Sequence, residues 1–192
     1  IRARVSPGFA VSVKLNSADF QRGGFSEDES RGVIAALAGE GLDLIEISGG
    51  NYESPAMSGS AAASTRDREA YFLDYACTVR QLAGDVPLAV TGGFRSRTAI
   101  ADALRAGDCD VVGLARPTVT TPDAAEAILS ERIDVLQTQE LRYGMRRVLG
   151  RFVDVKALDG VLNISWNTDQ LHRLGAGHEP DLSRGRLATT MA

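Results

Sequence analysis

The feature that most constrains the fold of this chain is a fourfold repeat of a short apolar strand pattern followed by a helical pattern. The strand patterns lie at residues 10–15, 42–47, 87–90 and 110–114. In the first of them Val11, Val13 and Leu15 alternate with polar residues, which is the period of a strand with one polar face. Four strand and helix units in a row predict an α/β fold with a parallel sheet that is covered by helices.

Residues typical of helix ends bound the helical patterns. Ser26 and Glu29 form a capping box for a helix that ends near Gly41. The later helices are predicted from Ser64 to Gly84, from Ser96 to Gly107, and from Pro122, which takes the first helical position.

The alternation stops near Asp134. Apolar residues between Leu136 and Phe152 predict one or two helices, which precede an end rich in Gly, His and Asp. A complete (β/α)8 barrel takes roughly 250 residues, so the 192 residues of this chain hold about half of one. We predict half a barrel, about four β–α units, in residues 1–133 and a helical C-terminal extension that packs on it in residues 134–192. Because half a barrel has open sheet edges, we expect a larger protein or association between copies.

The charge and composition exclude several classes of function. Asp and Glu number 25 against 21 Lys and Arg, so there is no excess positive charge to bind a nucleic-acid backbone. No apolar run reaches the roughly 18 to 20 residues of a membrane span, and the first residues lack the pattern of a secretory signal. We expect a cytoplasmic protein without a nucleic-acid or membrane partner.

The Cys and His residues form no metal or redox motif. Cys77 and Cys109 do not belong to a C-x-x-C spacing. His172 and His178 have no repeating pattern of Cys, Asp or Glu ligands around them. We predict no metal site, and the lack of a G-x-S-x-G motif leaves nucleophilic hydrolysis unsupported.

Glycine or polar residues follow the strands, where parallel α/β proteins bind ligands. Gly92 and Gly93 precede a helix, so their backbone N–H groups could face an anion such as phosphate, although two glycines are also typical of a tight turn. Arg116 follows the fourth strand and could bind phosphate oxygens through two hydrogen bonds. Lys14 is a cation on the polar side of the first strand, and an inward-facing Glu46 could pair with it. Lys14 could instead extend to solvent, and the pattern equally allows a solvated or helix-facing Glu46.

Four strings in order, with a closing segment, carry a resemblance to a known family. They are VKLNSADFQRGGF at 13–25, ISGGNYE at 47–53, VTGGFR at 90–95, VGLARP at 112–117 and TDQLHRLGAG at 168–177. With these motifs the chain resembles the C-terminal half of the old yellow enzyme family, the NADH:flavin oxidoreductases. Several motifs in family order are far more specific than any one of them.

The resemblance implies a (β/α)8 TIM barrel that holds FMN at its C-terminal mouth. Such an enzyme takes hydride from NAD(P)H and passes it to a small-molecule substrate, typically an electron-poor alkene. The resemblance puts Lys14 beside the flavin N1 and C2 carbonyl, where a positive charge stabilises the reduced ring. It aligns Gly92 and Gly93 with the family's first phosphate loop, and Ala115 and Arg116 with the second. Gly93 and Ala115 replace the asparagine and glycine of some members, but both would still offer backbone N–H groups.

The family's substrate-binding and proton-donating residues belong to the first half of the barrel. No catalytic residue is therefore assigned in this chain, and neither Tyr52 nor His172 is given that role. We expect the chain to be completed by an N-terminal half or to form a homo-oligomer. Two other functions stay open. One is a non-catalytic half-barrel that at most binds FMN or another phosphate ligand, and the other is an FMN or sugar-phosphate barrel with different chemistry.

Overall fold

The computed structural model describes residues 1–50, 69–142 and 155–190. These residues form two compact units. The first unit contains the described residues up to Leu114, and the second contains those from Ala115 onward.

The first unit is built on a parallel sheet of four strands. The strands are β1 (Ser12–Asn16), β2 (Leu44–Ser48), β3 (Leu88–Thr91) and β4 (Val111–Gly113). They lie side by side in chain order, and each pairs in parallel with the next. The predicted parallel α/β sheet is thus confirmed, and its strand order contains no reversal of the kind that marks a doubly wound sheet.

One α-helix lies between each pair of successive strands, and a short 3₁₀ helix (Arg2–Arg4) precedes β1. The α-helices are α1 (Glu27–Leu37), α2 (Leu73–Ala83) and α3 (Arg97–Ala106). The capping box of Ser26 and Glu29 is present, and Ser96 caps α3 by accepting a hydrogen bond from the Ala99 N–H at 3.2 Å. Gly107 ends α3 in the left-handed conformation, with φ of 75°.

The two faces of the sheet differ in character because alternate strand residues point to opposite sides. One face carries Ile45, Ile47, Leu88 and Val90, which are buried in a core with residues of the three α-helices. The other face carries Lys14 together with the residues in register with it. These are Glu46 on β2, then Ala89 on β3 and Val111 on β4. We call this second surface the polar face of the sheet.

The segment before α2 differs from the prediction of a helix that starts at Ser64. Residues 64–68 lie outside the described residues, and the chain from Glu69 to Phe72 is not helical, so α2 begins at Leu73. Ala70 has a φ of 54°, and the Tyr71 N–H donates to the Gly92 carbonyl at 3.0 Å. This long-range contact outweighs the helical spacing of the apolar residues.

The second unit is helical in its described parts. Its helices are α4 (Arg116–Thr120), α5 (Ala124–Leu129), α6 (Val155–Gly175) and α7 (Arg186–Thr190). Pro122 lies in a turn and not at the first helical position, because the Ala124 N–H donates to the Thr121 carbonyl and α5 starts only there. Of the helices expected between Leu136 and Phe152, residues 136–142 contain none, and 143–154 lie outside the described residues.

The longest described helix, α6, lies inside the segment 134–192 for which a helical extension is predicted, and it makes hydrogen bonds with the residues that follow it. The buried Trp166 indole N–H donates to the Arg184 carbonyl at 3.1 Å, and the Gln170 side chain accepts from the Asp181 N–H at 2.7 Å. In the described ranges, no helix combines the length and the apolar character of a membrane span. The assignment of residues 1–133 to a half-barrel and 134–192 to an extension packed on it stays a prediction.

Two aspartates just before the strands tie neighbouring strands together at their N-terminal ends. Asp43 precedes β2, accepts from the Val11 N–H at 2.7 Å and pairs with Arg2. Asp110 precedes β4, accepts from the Leu88 N–H at 2.8 Å and pairs with Arg80. The Arg80 guanidinium and then the Leu88 N–H lower the pKa of Asp110 below its ordinary value. Each carboxylate therefore stabilises the fold in its ionised form.

Asp110→Asn is expected to lower the free energy of unfolding by roughly 1 kcal/mol at neutral pH, a value reduced by the pair's exposure to solvent. Because the folded-state pKa is lowered, the contribution is complete above the ordinary pKa of 3.8 and is lost as the pH falls through the lowered value. Urea unfolding of the intact protein at several pH values measures this. Asp102→Asn, which removes an exposed pair with Arg105, is the control. An Asp110→Asn loss of equal size at pH 7 and about pH 2 would contradict the assignment.

Candidate functional site

The carboxyl ends of the four parallel strands meet at one edge of the sheet, and Asn16 organises this edge. Its side-chain amide donates to the Gly50 carbonyl at 2.8 Å and to the Asp19 carboxylate at 3.1 Å. The Ser48 hydroxyl donates to the Asn16 side-chain oxygen at 3.3 Å. These contacts fix the loop after β1 against the end of β2.

Lys14 lies on β1, two residues before Asn16, on the polar face of the sheet. Its Nζ is 3.0 Å from Glu46 Oε1, and the two residues are in register on neighbouring strands. The Lys14 side chain is 58% exposed and that of Glu46 is 29% exposed. The possible pairing of the two side chains is therefore confirmed, and Lys14 presents a cation that a ligand on the polar face could reach.

Gly92 and Gly93 are held in conformations and contacts that exclude a side chain. Their φ values are 144° and 84°. A Cβ at Gly92 would lie 2.7 Å from the Phe72 ring, and one at Gly93 would lie 2.7 Å from the Tyr71 ring. The Phe72 ring also stacks on Phe20, with 6.1 Å between ring centroids. The two glycines thus allow an aromatic cluster of Phe20, Tyr71 and Phe72 to pack closely on the loop.

The N-terminus of α3, which follows these glycines, already has an anionic partner inside the chain. The Glu69 carboxylate accepts hydrogen bonds from the Ser96 N–H at 2.9 Å, the Ser96 hydroxyl at 3.0 Å and the Arg95 N–H at 3.2 Å. A carboxylate there interacts favourably with the positive end of the helix dipole. Any phosphate held by this loop would therefore have to use N–H groups other than those of Arg95 and Ser96.

Ala115 and Arg116 open the second unit at the start of α4. The Ala115 carbonyl accepts from the Thr118 N–H at 3.0 Å, and the following residue, Pro117, is buried. Arg116 is half-buried, and its guanidinium makes no hydrogen bond or ion pair with any residue of ranges 1–50, 69–142 and 155–190. The guanidinium of an arginine carries five N–H donors and can bind a carboxylate or phosphate in a bidentate manner.

The predicted site residues fall into two groups. Lys14, Gly92 and Gly93 lie in the first unit, at or near the carboxyl ends of β1 and β3. Ala115 and Arg116 lie in the second unit. Their assignment to one FMN site stays a prediction.

Sequence reasoning missed Glu69 and the aromatic cluster. Glu69 falls inside a pattern with helical spacing, and nothing near it in the sequence shows that its carboxylate lies at a helix start 27 residues away. Phe20 carries one structural signal, a φ of 55°, which is strained for an aromatic residue. A sequence pattern gives no sign of such strain.

The two cysteines and the described acidic and imidazole groups are not arranged as a set of metal ligands. Within the part of the chain that the structure describes, no three His, Cys, Asp or Glu residues cluster as metal ligands would. Partial desolvation and the Asp108 carboxylate raise the pKa of Cys77 to about 11, and burial raises the pKa of Cys109. Both side chains are therefore thiols at neutral pH.

Several curated proteins are similar to this chain in sequence, although no protein-family model matches it. NADH-dependent flavin oxidoreductase iccE from Talaromyces variabilis is 40% identical over 130 residues, which are 64% of this chain and 31% of that protein. NADH-dependent flavin oxidoreductase nadA from Aspergillus parasiticus is 37% identical over 134 residues, which are 69% of this chain and 30% of that protein. The chain therefore spans less than a third of the length of these relatives.

Two further comparisons are weaker. Isopentenyl-diphosphate delta-isomerase from Rickettsia felis is 31% identical over 120 residues, which are 57% of this chain and 34% of that protein. Among solved structures, a 2-naphthoyl-CoA reductase in complex with 2-naphthoyl-CoA is similar with a TM-score of 0.54 and 23% identity, covering 64% of this chain and 19% of that one. At that identity the likeness shows the fold alone. The sequence similarities confirm the expected resemblance: over about two thirds of its length, this chain is similar to NADH-dependent flavin oxidoreductases.

Proposed function

We propose that the intact protein is an FMN-dependent oxidoreductase of the ene-reductase type, which uses NAD(P)H to reduce an electron-poor alkene. The observation that carries the proposal is Lys14, an accessible cation that projects from a parallel strand on the face of the sheet opposite α1, α2 and α3. A positive charge at such a position favours a ligand that becomes more negative during reaction. The relatives that match at 37 to 40% identity carry the name NADH-dependent flavin oxidoreductase, which supports the same activity.

The residues present fit a phosphate-bearing cofactor. Arg116 offers a guanidinium without a partner among the described residues. Gly92 and Gly93 would offer their backbone N–H groups, with the Phe72 and Tyr71 rings already occupying the space beside their Cα atoms, and Ala115 would add its own N–H. Because Glu69 takes the N–H groups of Arg95 and Ser96, we assign the first phosphate loop to the two glycines. When bound, FMN would supply the hydride-accepting ring, and Lys14 would lie beside its pyrimidine side.

The sheet is proposed to be half of a (β/α)8 barrel. Support comes from the chain-order arrangement of β1 to β4 and from the apolar core between the sheet and α1, α2 and α3. Completion by an N-terminal half or a homo-oligomer, a cytoplasmic location, and a lack of nucleic-acid and membrane partners are parts of the same proposal. The substrate-binding and proton-donating groups would then come from residues outside this chain.

The purified intact protein is expected to show a flavin absorbance band that NADH or NADPH bleaches and an enone restores. The cofactor released by denaturation should be FMN, as determined by mass spectrometry. A protein that remains colourless and binds no added FMN would refute the proposal. A non-catalytic half-barrel that retains the phosphate site would instead bind FMN without being bleached by either nucleotide.

A second candidate function is a phosphate-binding barrel with isomerase chemistry. The similarity to an isopentenyl-diphosphate delta-isomerase favours it, although it covers less of this chain at lower identity than the oxidoreductases do. The two functions differ in their use of reducing equivalents. An isomerase would convert its substrate with no net oxidation of NADH, whereas the proposed oxidoreductase consumes one NADH for each alkene reduced.

A further inference from the structure

We propose that Glu46 is a positioning residue that holds the Lys14 ammonium and sets how much of its positive charge a ligand on the polar face experiences. This inference rests on the proposed function, because it concerns the same candidate flavin site. The proposed activity uses the Lys14 cation and does not require the Glu46 carboxylate. Glu46 adds a means of adjusting the reduction potential through that cation.

The register of the sheet makes the pair possible. Lys14 and Glu46 are direct partners on β1 and β2, so their side chains leave the same face of neighbouring strands that are about 4.8 Å apart. Their charged atoms approach to 3.0 Å. The next residue in the same row is Ala89, which has no polar group, and Val111 follows it. In this row of the described sheet, Lys14 is therefore the polar neighbour of Glu46.

Glu46 is the better fixed of the two side chains. It is 29% exposed against 58% for Lys14, and it lies on an inner strand between β1 and β3. Lysine has a flexible four-carbon stem and loses much conformational freedom when its end is held in one place. A fixed carboxylate beside it restricts the ammonium to part of the space that its stem could reach.

The pair also has an electrostatic consequence. A carboxylate 3.0 Å from an ammonium offsets much of its charge for any group farther away. Glu46→Gln keeps the shape of the side chain and removes this offset. For a ligand that gains negative charge on reduction, the uncompensated Lys14 would favour the reduced state more strongly than the pair does.

The first test measures the midpoint potential of the flavin in the intact holoprotein. Glu46→Gln is expected to raise the ratio of reduced to oxidised flavin about tenfold at a fixed potential, which corresponds to about 30 mV for a two-electron couple. Lys14→Met is expected to lower the potential, and Glu46→Asp, which keeps the charge, to stay near the wild-type value. Glu40→Gln, an exposed carboxylate outside the strands, is the matched control and should have no effect.

The double variant Lys14→Met/Glu46→Gln separates action through Lys14 from direct action on the flavin. If Glu46 acts through Lys14, Glu46→Gln should have much less effect on the potential once Lys14 is gone. If Glu46→Gln raises the midpoint potential equally in the wild-type protein and in Lys14→Met, Glu46 acts on the flavin by its own charge and the positioning role is overturned. The role is also overturned if Glu46→Gln does not raise the midpoint potential of the wild-type protein.

A second readout does not depend on bound flavin. The chain contains two lysines, Lys14 and Lys156, so acetylation of each can be followed by peptide mass spectrometry. Loss of the ion pair in Glu46→Gln is expected to raise the acetylation rate of Lys14 relative to Lys156 by roughly two- to fivefold, the range for exposed ion pairs. An unchanged ratio of the two acetylation rates would show that Glu46 does not restrain Lys14, and the proposal would be overturned. A raised ratio in a protein that binds no FMN would instead refute the proposed function and leave the pair intact.

Discussion

Arg116→Ala is expected to weaken FMN binding by the intact protein tenfold or more. The half-buried guanidinium has no partner among the described residues, so binding a phosphate breaks no ion pair between Arg116 and any of them. Charge-assisted hydrogen bonds contribute about 1.5 to 3 kcal/mol each, and a loss of 1.4 kcal/mol is a factor of ten in affinity. Titration of the apoprotein with FMN, followed by fluorescence, measures the change.

Two further variants sharpen this prediction. Arg116→Lys should recover part of the affinity, because it keeps the charge but loses the planar fork. Arg132→Ala removes an arginine of the same unit that already pairs with Asp123, and it should leave FMN binding unchanged. The reduction potential of the flavin that still binds to Arg116→Ala should change little. Unchanged FMN affinity in Arg116→Ala would remove this residue from the phosphate site.

Gly93→Ala is expected to lower the free energy of unfolding by about 2 to 5 kcal/mol. The φ of 84° alone costs an alanine about 1 to 2 kcal/mol, and overpacking adds about 1 to 3 kcal/mol. The added methyl group would lie 2.7 Å from the Tyr71 ring, which is closer than carbon atoms can approach. Urea unfolding of the intact protein gives the value.

The chain offers a control that separates strain from contact. Gly107 has a similar φ of 75°, and a Cβ there would meet no atom within 4 Å, so Gly107→Ala should show the strain alone. In the double variant Gly93→Ala/Tyr71→Ala, the methyl group has room, and the combined loss should be smaller than the sum of the single losses. If Gly93→Ala lowers the free energy of unfolding by no more than Gly107→Ala does, contact with the Tyr71 ring does not explain why glycine is needed at position 93.

The parts of the fold that local chemistry specifies could be predicted from the sequence. The alternation of Val13, Lys14 and Leu15 assigned the two faces of β1, because side chains of a strand alternate whatever lies beside them. Ser26 capped α1 and Gly107 ended α3 as expected, since both effects involve residues within one helical turn. The resemblance to the flavin oxidoreductases likewise rested on short ordered motifs that need no tertiary structure.

The features that depend on contacts between distant residues appeared only in the tertiary structure. The helix predicted from Ser64 begins at Leu73 in the described chain, because Glu69 and Tyr71 make hydrogen bonds to Ser96 and Gly92 instead of continuing a helix. A helical pattern in the sequence does not reveal these hydrogen bonds, since their partners lie more than 20 residues away along the chain.

The sequence by itself determined the parallel sheet, its polar face and the presence of Lys14 on it. It left open whether Lys14 faces solvent or an acidic partner, and whether the Gly92 and Gly93 turn is built for an anion or for tight packing. The strand register decided the first question by pairing Lys14 with Glu46. For the second, the tertiary structure shows close packing, with aromatic rings against both glycines and a carboxylate at the helix start that follows them, while anion binding at the two glycines stays a prediction. Both answers depend on which surfaces the folded chain brings within a few ångströms, and local sequence preference does not contain that information.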